Sequence, residues 1–273
     1  MSECTHDCSN CASECGDRTE PMDFRAHLNA ASSVKHVIAV VSGKGGVGKS
    51  LVTALLASNM NKRGYKSAIL DADITGPSAP KAFGLSGTIK EGSEAGIPTM
   101  KTESGIQMIS VNFLLNNETD PVIWRGPVLA GCVKQFFSEF IWEDVDYMFV
   151  DMPPGTGDIP LTVFQSLPVE GIIVVTSPQD LVGMIVEKAV KMAAMMDIPV
   201  LGIVQNMAYY ECPNCHEKHF IFGNSDIKKL AESMDVKHSL SLPIDPHLAE
   251  LVDAGKIEEY TMAEADELVK MVL

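Results

Sequence analysis

From position 36 onward the chain alternates two hydrophobic patterns. HVIAVVS (36–42) is an unbroken β-branched run, which predicts a strand buried on both faces. A glycine-rich turn follows, and then the apolar positions of residues 50–64 recur at helical spacing, predicting an amphipathic helix that closes on Gly64. The same alternation continues. KSAILDAD (66–73), VDYMFVDM (145–152), GIIVVTS (171–177) and PVLGIVQNM (199–207) read as further strands, and HSLSLP (238–243) as a weaker last one. Helical spacing occupies 126–141 and 181–196, with a more polar helix near 225–234. Strands that alternate with crossover helices imply an α/β fold, with a mostly parallel sheet flanked by helices on both faces. Residues 87–120 are the least regular part, and GIQMISVNFLL suggests a hairpin insertion there. No internal repeat and no long linker divides residues 34–273. Residues 1–33 are polar, acidic and Cys-rich, an appendage expected to order only where a metal ties its cysteines together.

Composition changes this picture in two ways. First, 36 acidic residues against 21 basic give a net charge of −15, which repels nucleic acid and anionic lipid and argues against either as the main partner. No apolar run is long enough to span a membrane, and the first twenty residues lack the basic and apolar regions of a secretory signal, so a cytoplasmic location is expected. Second, the seven cysteines are unevenly placed: Cys4, Cys8, Cys11 and Cys15 near the start, Cys212 and Cys215 as a pair, and Cys132 alone. Close-set cysteines without an export signal read as metal or cluster ligands before disulfides.

The turn after the first strand, Gly43-Lys44-Gly45-Gly46-Val47-Gly48-Lys49-Ser50, fits G-x-x-x-x-G-K-[ST], and both its flanks are right for a phosphate loop. Its backbone N–H groups and the helix N-terminus would cradle a polyphosphate. Lys49 would reach the β- and γ-phosphates of ATP, and the Ser50 hydroxyl would ligate Mg²⁺. Asp71 and Asp73 end the second strand, where open α/β sheets bind ligands. Asp151 ends another, a place for a carboxylate that holds Mg²⁺ through water, and Gly155 completes the D-x-x-x-G pattern of a γ-phosphate sensor. Either aspartate alone would also serve as a helix cap.

KGGVGKS, with its second lysine Lys44, resembles the deviant P-loop ATPases, a group that includes the nitrogenase iron protein and the Min- and ParA-type ATPases. The resemblance implies that Lys44 crosses a dimer interface to the partner's phosphates, stabilising transition-state charge as an arginine finger would. It also implies that Asp73 faces the attacking water and that Asn206, in VQNM, reads adenine; a buried turn hydrogen bond is the plainer reading of Asn206. DADITGPSAPKAFGL, WRGP, DMPPGTGD, QNM and CPNCHEKHFIFG narrow the likeness to the Mrp/ApbC-type iron–sulfur cluster carrier ATPases, from about residue 34 to about residue 255. Gln205 and Ile257 depart from that pattern, away from phosphates and thiolates.

Cys212-Pro-Asn-Cys215 supplies two thiolates, whereas clusters and structural zinc usually take four ligands. Two copies facing a two-fold axis would supply Cys₄, and the resemblance implies a 4Fe–4S cluster held in this way by a homodimer and passed to apo iron–sulfur proteins. A cramped zinc site from Cys212, Cys215, His216 and His219 is the rival, with zinc also a substitute for the cluster, and a thioredoxin-like redox pair is a third reading. Cys4-x₃-Cys8-x₂-Cys11-x₃-Cys15 suits a ferredoxin-like 4Fe–4S site; its first three cysteines match the radical SAM spacing, but the fourth would close the iron that such enzymes leave open. His6 is read as a solvated tail residue and Cys132 as a small core residue. A Min- or ParA-like positioning ATPase would need a basic helix or face and would leave six clustered cysteines idle. A redox ATPase of the nitrogenase type carries its two cysteines on separate loops.

Overall fold

The structure, a computed structural model, describes residues 25–74, 76–89, 92–115, 126–155, 157–178 and 182–273. Cys4, Cys8, Cys11 and Cys15, together with Trp124 and Arg125, lie outside the described residues. β1 (Val34–Ser42) leads through the glycine-rich turn into α1 (Lys49–Lys62), and β2 (Ser67–Asp71) follows. The irregular segment holds α2 (Ala79–Ala82), β3 (Ile97–Pro98), β4 (Met100–Lys101) and β5 (Gln107–Ile109). Next come α3 (Gly126–Ser138), β6 (Phe140–Ile141), β7 (Val145–Asp151), α4 (Asp158–Ser166), β8 (Gly171–Thr176) and α5 (Val182–Met195). β9 (Val200–Gln205), the small strands β10 (Tyr210–Glu211) and β11 (Lys218–His219), α6 (Ile227–Ser233), β12 (Ser239–Ser241), α7 (Pro246–Asp253) and α8 (Ala265–Lys270) complete the chain.

Eight strands form one sheet in the order β12-β9-β8-β1-β7-β2-β5-β4, parallel throughout except where β4 turns back on β5. Every residue of β2 and β8 is buried, as expected of strands in a sheet whose two faces are both covered by helices. The expected hairpin is realised at one edge only: β5 is antiparallel to β4 but parallel to β2. β1 sits in the middle, between β7 and β8, so its C-terminal end opens into the crevice where ligands of such sheets bind.

Four local findings correct the sequence reading. α1 is not amphipathic: every residue from Val52 to Met60 is buried, because α2, α8 and the turn at Ile257–Glu259 cover the side turned away from the sheet. The helix expected over 126–141 stops at Ser138, and Phe140–Ile141 pairs with β3 instead. Trp142 fixes this exit; it is wholly buried and its indole N–H donates to Phe136 O at 3.1 Å. α4 has no counterpart in the sequence reading; its one proline, Pro160, falls in the first turn, where its missing N–H costs nothing. α7 was likewise unread, although Pro246 begins it and the Asp245 carboxylate caps it by accepting from His247 N at 2.9 Å.

Candidate functional site

The phosphate loop is shaped by two close approaches. Gly48 has φ +84°, and a Cβ there would lie 2.1 Å from Asn206 Nδ2. A Cβ on Gly43 would lie 1.8 Å from Ile185 Cγ2 of α5. Glycine is therefore required at both ends of the loop, once by packing and once by packing and conformation. No side chain caps α1, which leaves its first-turn N–H donors for an anion. The loop opens into a cleft of about 340 Å³ whose lining includes Gly45, Gly46, Lys49, Ser50, Asp73 and Pro154.

At the head of this cleft, parallel pairing sets Asp71 at the end of β2 directly beside Asp151 at the end of β7. Both are fully buried. The Lys49 ammonium donates to Asp151 Oδ1 at 2.6 Å, lies 3.3 Å from Ser50 Oγ, and stands 3.5 Å from Asp73 Oδ2. Thr53 Oγ1, one turn along α1, donates to the same Asp151 Oδ1 at 3.1 Å. Asp71 accepts from Ser110 Oγ at 3.0 Å and from the Asp73 amide at 3.1 Å. Burial holds the Asp71 carboxyl well above the usual carboxylate range, and the neighbouring charge of Asp151 adds to this. Asp151 Oδ2 is buried without a hydrogen-bond partner among the described residues. An unsatisfied carboxylate oxygen beside a serine hydroxyl and a phosphate cradle is a hard-oxygen donor set that fits Mg²⁺.

The other expected phosphate-site residues fall into place unevenly. The Gly155 amide donates to Ser42 O at 2.8 Å with φ +90°, which ties the segment after β7 to the base of the loop. Lys44 is half-buried and does not line the cleft; its carbonyl accepts from Ser42 Oγ at 3.0 Å. Asn206 is also outside the lining. Its amide side chain donates to Val47 O at 3.0 Å, the plainer of the two readings, and its backbone N–H donates to Thr176 O at 2.8 Å. Thr53 and Ser110 were missed from the sequence. Thr53 was legible as the residue one helical turn after Lys49, whereas nothing local marks Ser110.

Four residues after Asn206 the chain enters the β10–β11 hairpin, whose turn carries both cysteines. Cys212 N donates to Glu217 O at 3.0 Å and His216 N to Cys212 O at 2.9 Å, with His216 at φ +57°. This tight knuckle points amides at sulfur: the N–H groups of Cys215 and then Asn214, followed by the Cys215 thiol, draw the Cys212 thiol below its ordinary pKa. Cys212 is half-buried and Cys215 exposed. The zinc set is not assembled. His216 Nδ1 instead pairs with Glu211 Oε1 at 3.1 Å, His219 lies opposite Tyr210 on β11, and among the described residues no three Cys, His, Asp or Glu side chains gather as metal ligands. Cys132 is a core residue, its thiol pushed up to about 11 by burial.

Comparison with known proteins bears on this pairing of phosphate loop and thiol knuckle. Residues 33–273 match the family described as ParA: NUBPL iron-transfer P-loop NTPase. An iron-sulfur cluster carrier protein of Clostridium perfringens is 47% identical over 235 residues, 84% of this chain and 82% of the relative. One from Methanocaldococcus jannaschii is 41% identical over 261 residues, 93% of this chain and 90% of the relative. Among solved structures, a nucleotide-binding protein of Archaeoglobus fulgidus in complex with ADP is 43% identical with a TM-score of 0.75, covering 84% of this chain and 90% of that one. On fold, phosphate loop and match over nearly its whole described length, this chain belongs to the ParA/NUBPL family of iron-transfer P-loop NTPases.

Proposed function

We propose that this chain is an ATP-hydrolysing iron–sulfur cluster carrier. In this reading a homodimer holds a 4Fe–4S cluster on Cys212 and Cys215 of each copy and delivers it to apo iron–sulfur proteins. The observation that carries the reading is the donor count at the hairpin. Two thiols stand on one hydrogen-bonded turn, one of them with its acidity raised by backbone amides, and no third ligand from the same chain lies beside them among the described residues. Two thiols complete a four-thiolate shell when a second copy brings two more.

The nucleotide half follows from the cleft. The loop amides bind the triphosphate, and Lys49 leaves Asp151 for the β- and γ-phosphate oxygens. Ser50 and Asp151, whose Oδ2 lacks a partner, would hold Mg²⁺, which supplies charge neutralisation across those phosphates. Asp73 orients the water whose oxygen attacks the γ-phosphorus, and the bond to the bridging oxygen of ADP breaks. Lys44, which does not line its own cleft, would reach the partner's phosphates on dimerisation. Gly155, whose amide hydrogen-bonds the base of the loop, would sense the γ-phosphate, and Asn206 joins the loop to the hairpin. Cys4, Cys8, Cys11 and Cys15 would hold a second cluster. No helix among the described residues is long and apolar enough to cross a membrane, in keeping with a cytoplasmic carrier.

The test is iron, sulfide and zinc analysis of protein prepared without oxygen, alongside its native mass. One bridging 4Fe–4S cluster per dimer, lost in Cys212→Ser, is expected. A monomer holding one zinc ion that iron and sulfide cannot displace would overturn the reading.

A further inference from the structure

A second concavity of about 640 Å³ opens beside the cysteine hairpin, separate from the phosphate cleft. Its walls come from β10 and Pro213, from the turn that enters α7, and from the chain around Tyr260 and Glu264. Four carboxylates line it, those of Glu211, Asp245, Glu250 and Glu264, and His247 is the one basic side chain in the lining. Two of the four are already committed. Glu211 pairs with His216, while Asp245 caps α7 and accepts from Tyr260 Oη at 2.7 Å. The side chains of Glu250 and Glu264 make no hydrogen bond or ion pair among the described residues.

The groove is also aromatic, with Tyr209, Tyr210 and Tyr260 in its walls. One ring already holds a cation of this chain, the Lys218 ammonium lying 4.0 Å from the centre of the Tyr209 ring, which leaves Tyr210 and Tyr260 as the rings beside the carboxylates. Free carboxylates beside tyrosine faces suit an arginine or lysine, whose head pairs with the acid and whose stem covers the ring. Pro213 adjoins Cys212, so whatever fills the groove touches the residue next to a cluster thiolate.

We propose that this groove docks the acceptor protein through an arginine- or lysine-bearing segment, with Glu250 and Glu264 as the pairing carboxylates. The inference rests on the cluster-carrier reading. Acceptor thiolates must come within bonding distance of iron held at Cys212, and an acceptor that does so covers the surface flanking the hairpin. The dimer of the carrier reading meets at the cysteines themselves; a second copy that also filled this groove would have to set its own scarcer basic residues, 21 against 36 acidic, on these carboxylates, and native mass tests for it. Unpaired rim carboxylates would act chiefly on encounter, making the transfer rate salt-dependent.

The experiment uses two synthetic four-cysteine acceptor peptides, identical but for a flank of arginine and lysine or of glutamate, and the cluster-loaded full-length protein. Transfer to the basic peptide is expected to be about tenfold faster or more at low salt. The preference should collapse at high salt and in the Glu250→Lys/Glu264→Lys variant, while iron, sulfide and native mass stay as in the wild type. Equal rates for both peptides, or a preference that survives the double variant, overturn the proposal. Loss of the dimer mass in that variant also overturns it, by making the groove a seam between copies. If neither peptide takes up a cluster, the carrier reading fails; fluorescence anisotropy of the labelled basic flank alone then decides the groove, with binding lost in the double variant expected and unchanged binding refuting it.

Discussion

Lys49→Ala should destabilise the protein as well as abolish nucleotide binding. The ammonium is buried and lies 2.6 Å from Asp151 Oδ1 and 3.5 Å from Asp73 Oδ2, with Asp71 buried next to Asp151. Truncation leaves these carboxyls facing one another with no cation between them. Removing one partner of a buried ion pair costs about 3–5 kcal/mol. A second route gives a similar size: if the cluster of carboxyls takes up a proton at pH 7 instead, the cost is about 1.36 kcal/mol per unit between pH 7 and an ordinary carboxyl pKa near 3.9, or about 4 kcal/mol. The sign follows from where the proton sits. The folded variant binds it and the unfolded chain does not, so stability falls as pH rises above the ordinary carboxyl range and recovers on acidification. Asp71, already held high by burial in the wild type, pulls the same way. The deficit measured by urea unfolding without nucleotide should therefore be about 4 kcal/mol at pH 7 and about 2 kcal/mol smaller at pH 5.5. The double variant Lys49→Met/Asp151→Asn, which removes both charges, should regain much of the loss. Wild-type stability in Lys49→Ala at pH 7, or a deficit indifferent to pH, would refute the electrostatic account.

Three further outcomes follow from the same geometry. Gly48→Ala forces a side chain into φ +84° and against Asn206 Nδ2, so nucleotide affinity should fall by about 30-fold, the equivalent of ~2 kcal/mol of strain and lost hydrogen bonding, in a fluorescent-nucleotide titration. Thr53→Val keeps shape but deletes one of the two donors to Asp151 Oδ1, and should cost about 1–3 kcal/mol in urea midpoint analysis. Cys215→Ser should remove the iron and sulfide of the proposed bridging site and leave nucleotide affinity within about threefold, because Cys215 does not line the phosphate cleft.

The sheet was legible because its strands are buried on both faces, which writes them as unbroken β-branched runs; β8, buried at every position, is the clearest case. The phosphate loop was legible because its chemistry is local, eight consecutive residues with one required conformation at Gly48. What the sequence hid was set by distant contacts. The helical spacing of residues 50–64 says that they are apolar and helical, but only the C-terminal elements folding over α1 decide that its outer side is buried too. Pro153, Pro154 and Pro160 interrupt any helical pattern before α4, though a proline in a first turn is compatible with a helix. Ser110 reaches Asp71 across 39 positions of sequence, which no periodicity announces. The zinc alternative drew on spacing alone; in the structure His216 turns toward Glu211, and metal analysis decides between zinc and a cluster.

The bond between the Asn206 side chain and Val47 O has a consequence for engineering. From that anchor to Tyr210 the backbone runs only four residues, at most about 14 Å when extended, so there is little slack with which the thiol turn could ignore the ATP loop. Moving CPNC to a more permissive surface loop would reproduce its sulfur geometry but leave it mechanically deaf to the nucleotide. On the proposed carrier reading, relaxing the tether with inserted glycines between 206 and 210 should abolish the effect of ATP on cluster loading, measured with and without nucleotide, while each activity persists by itself.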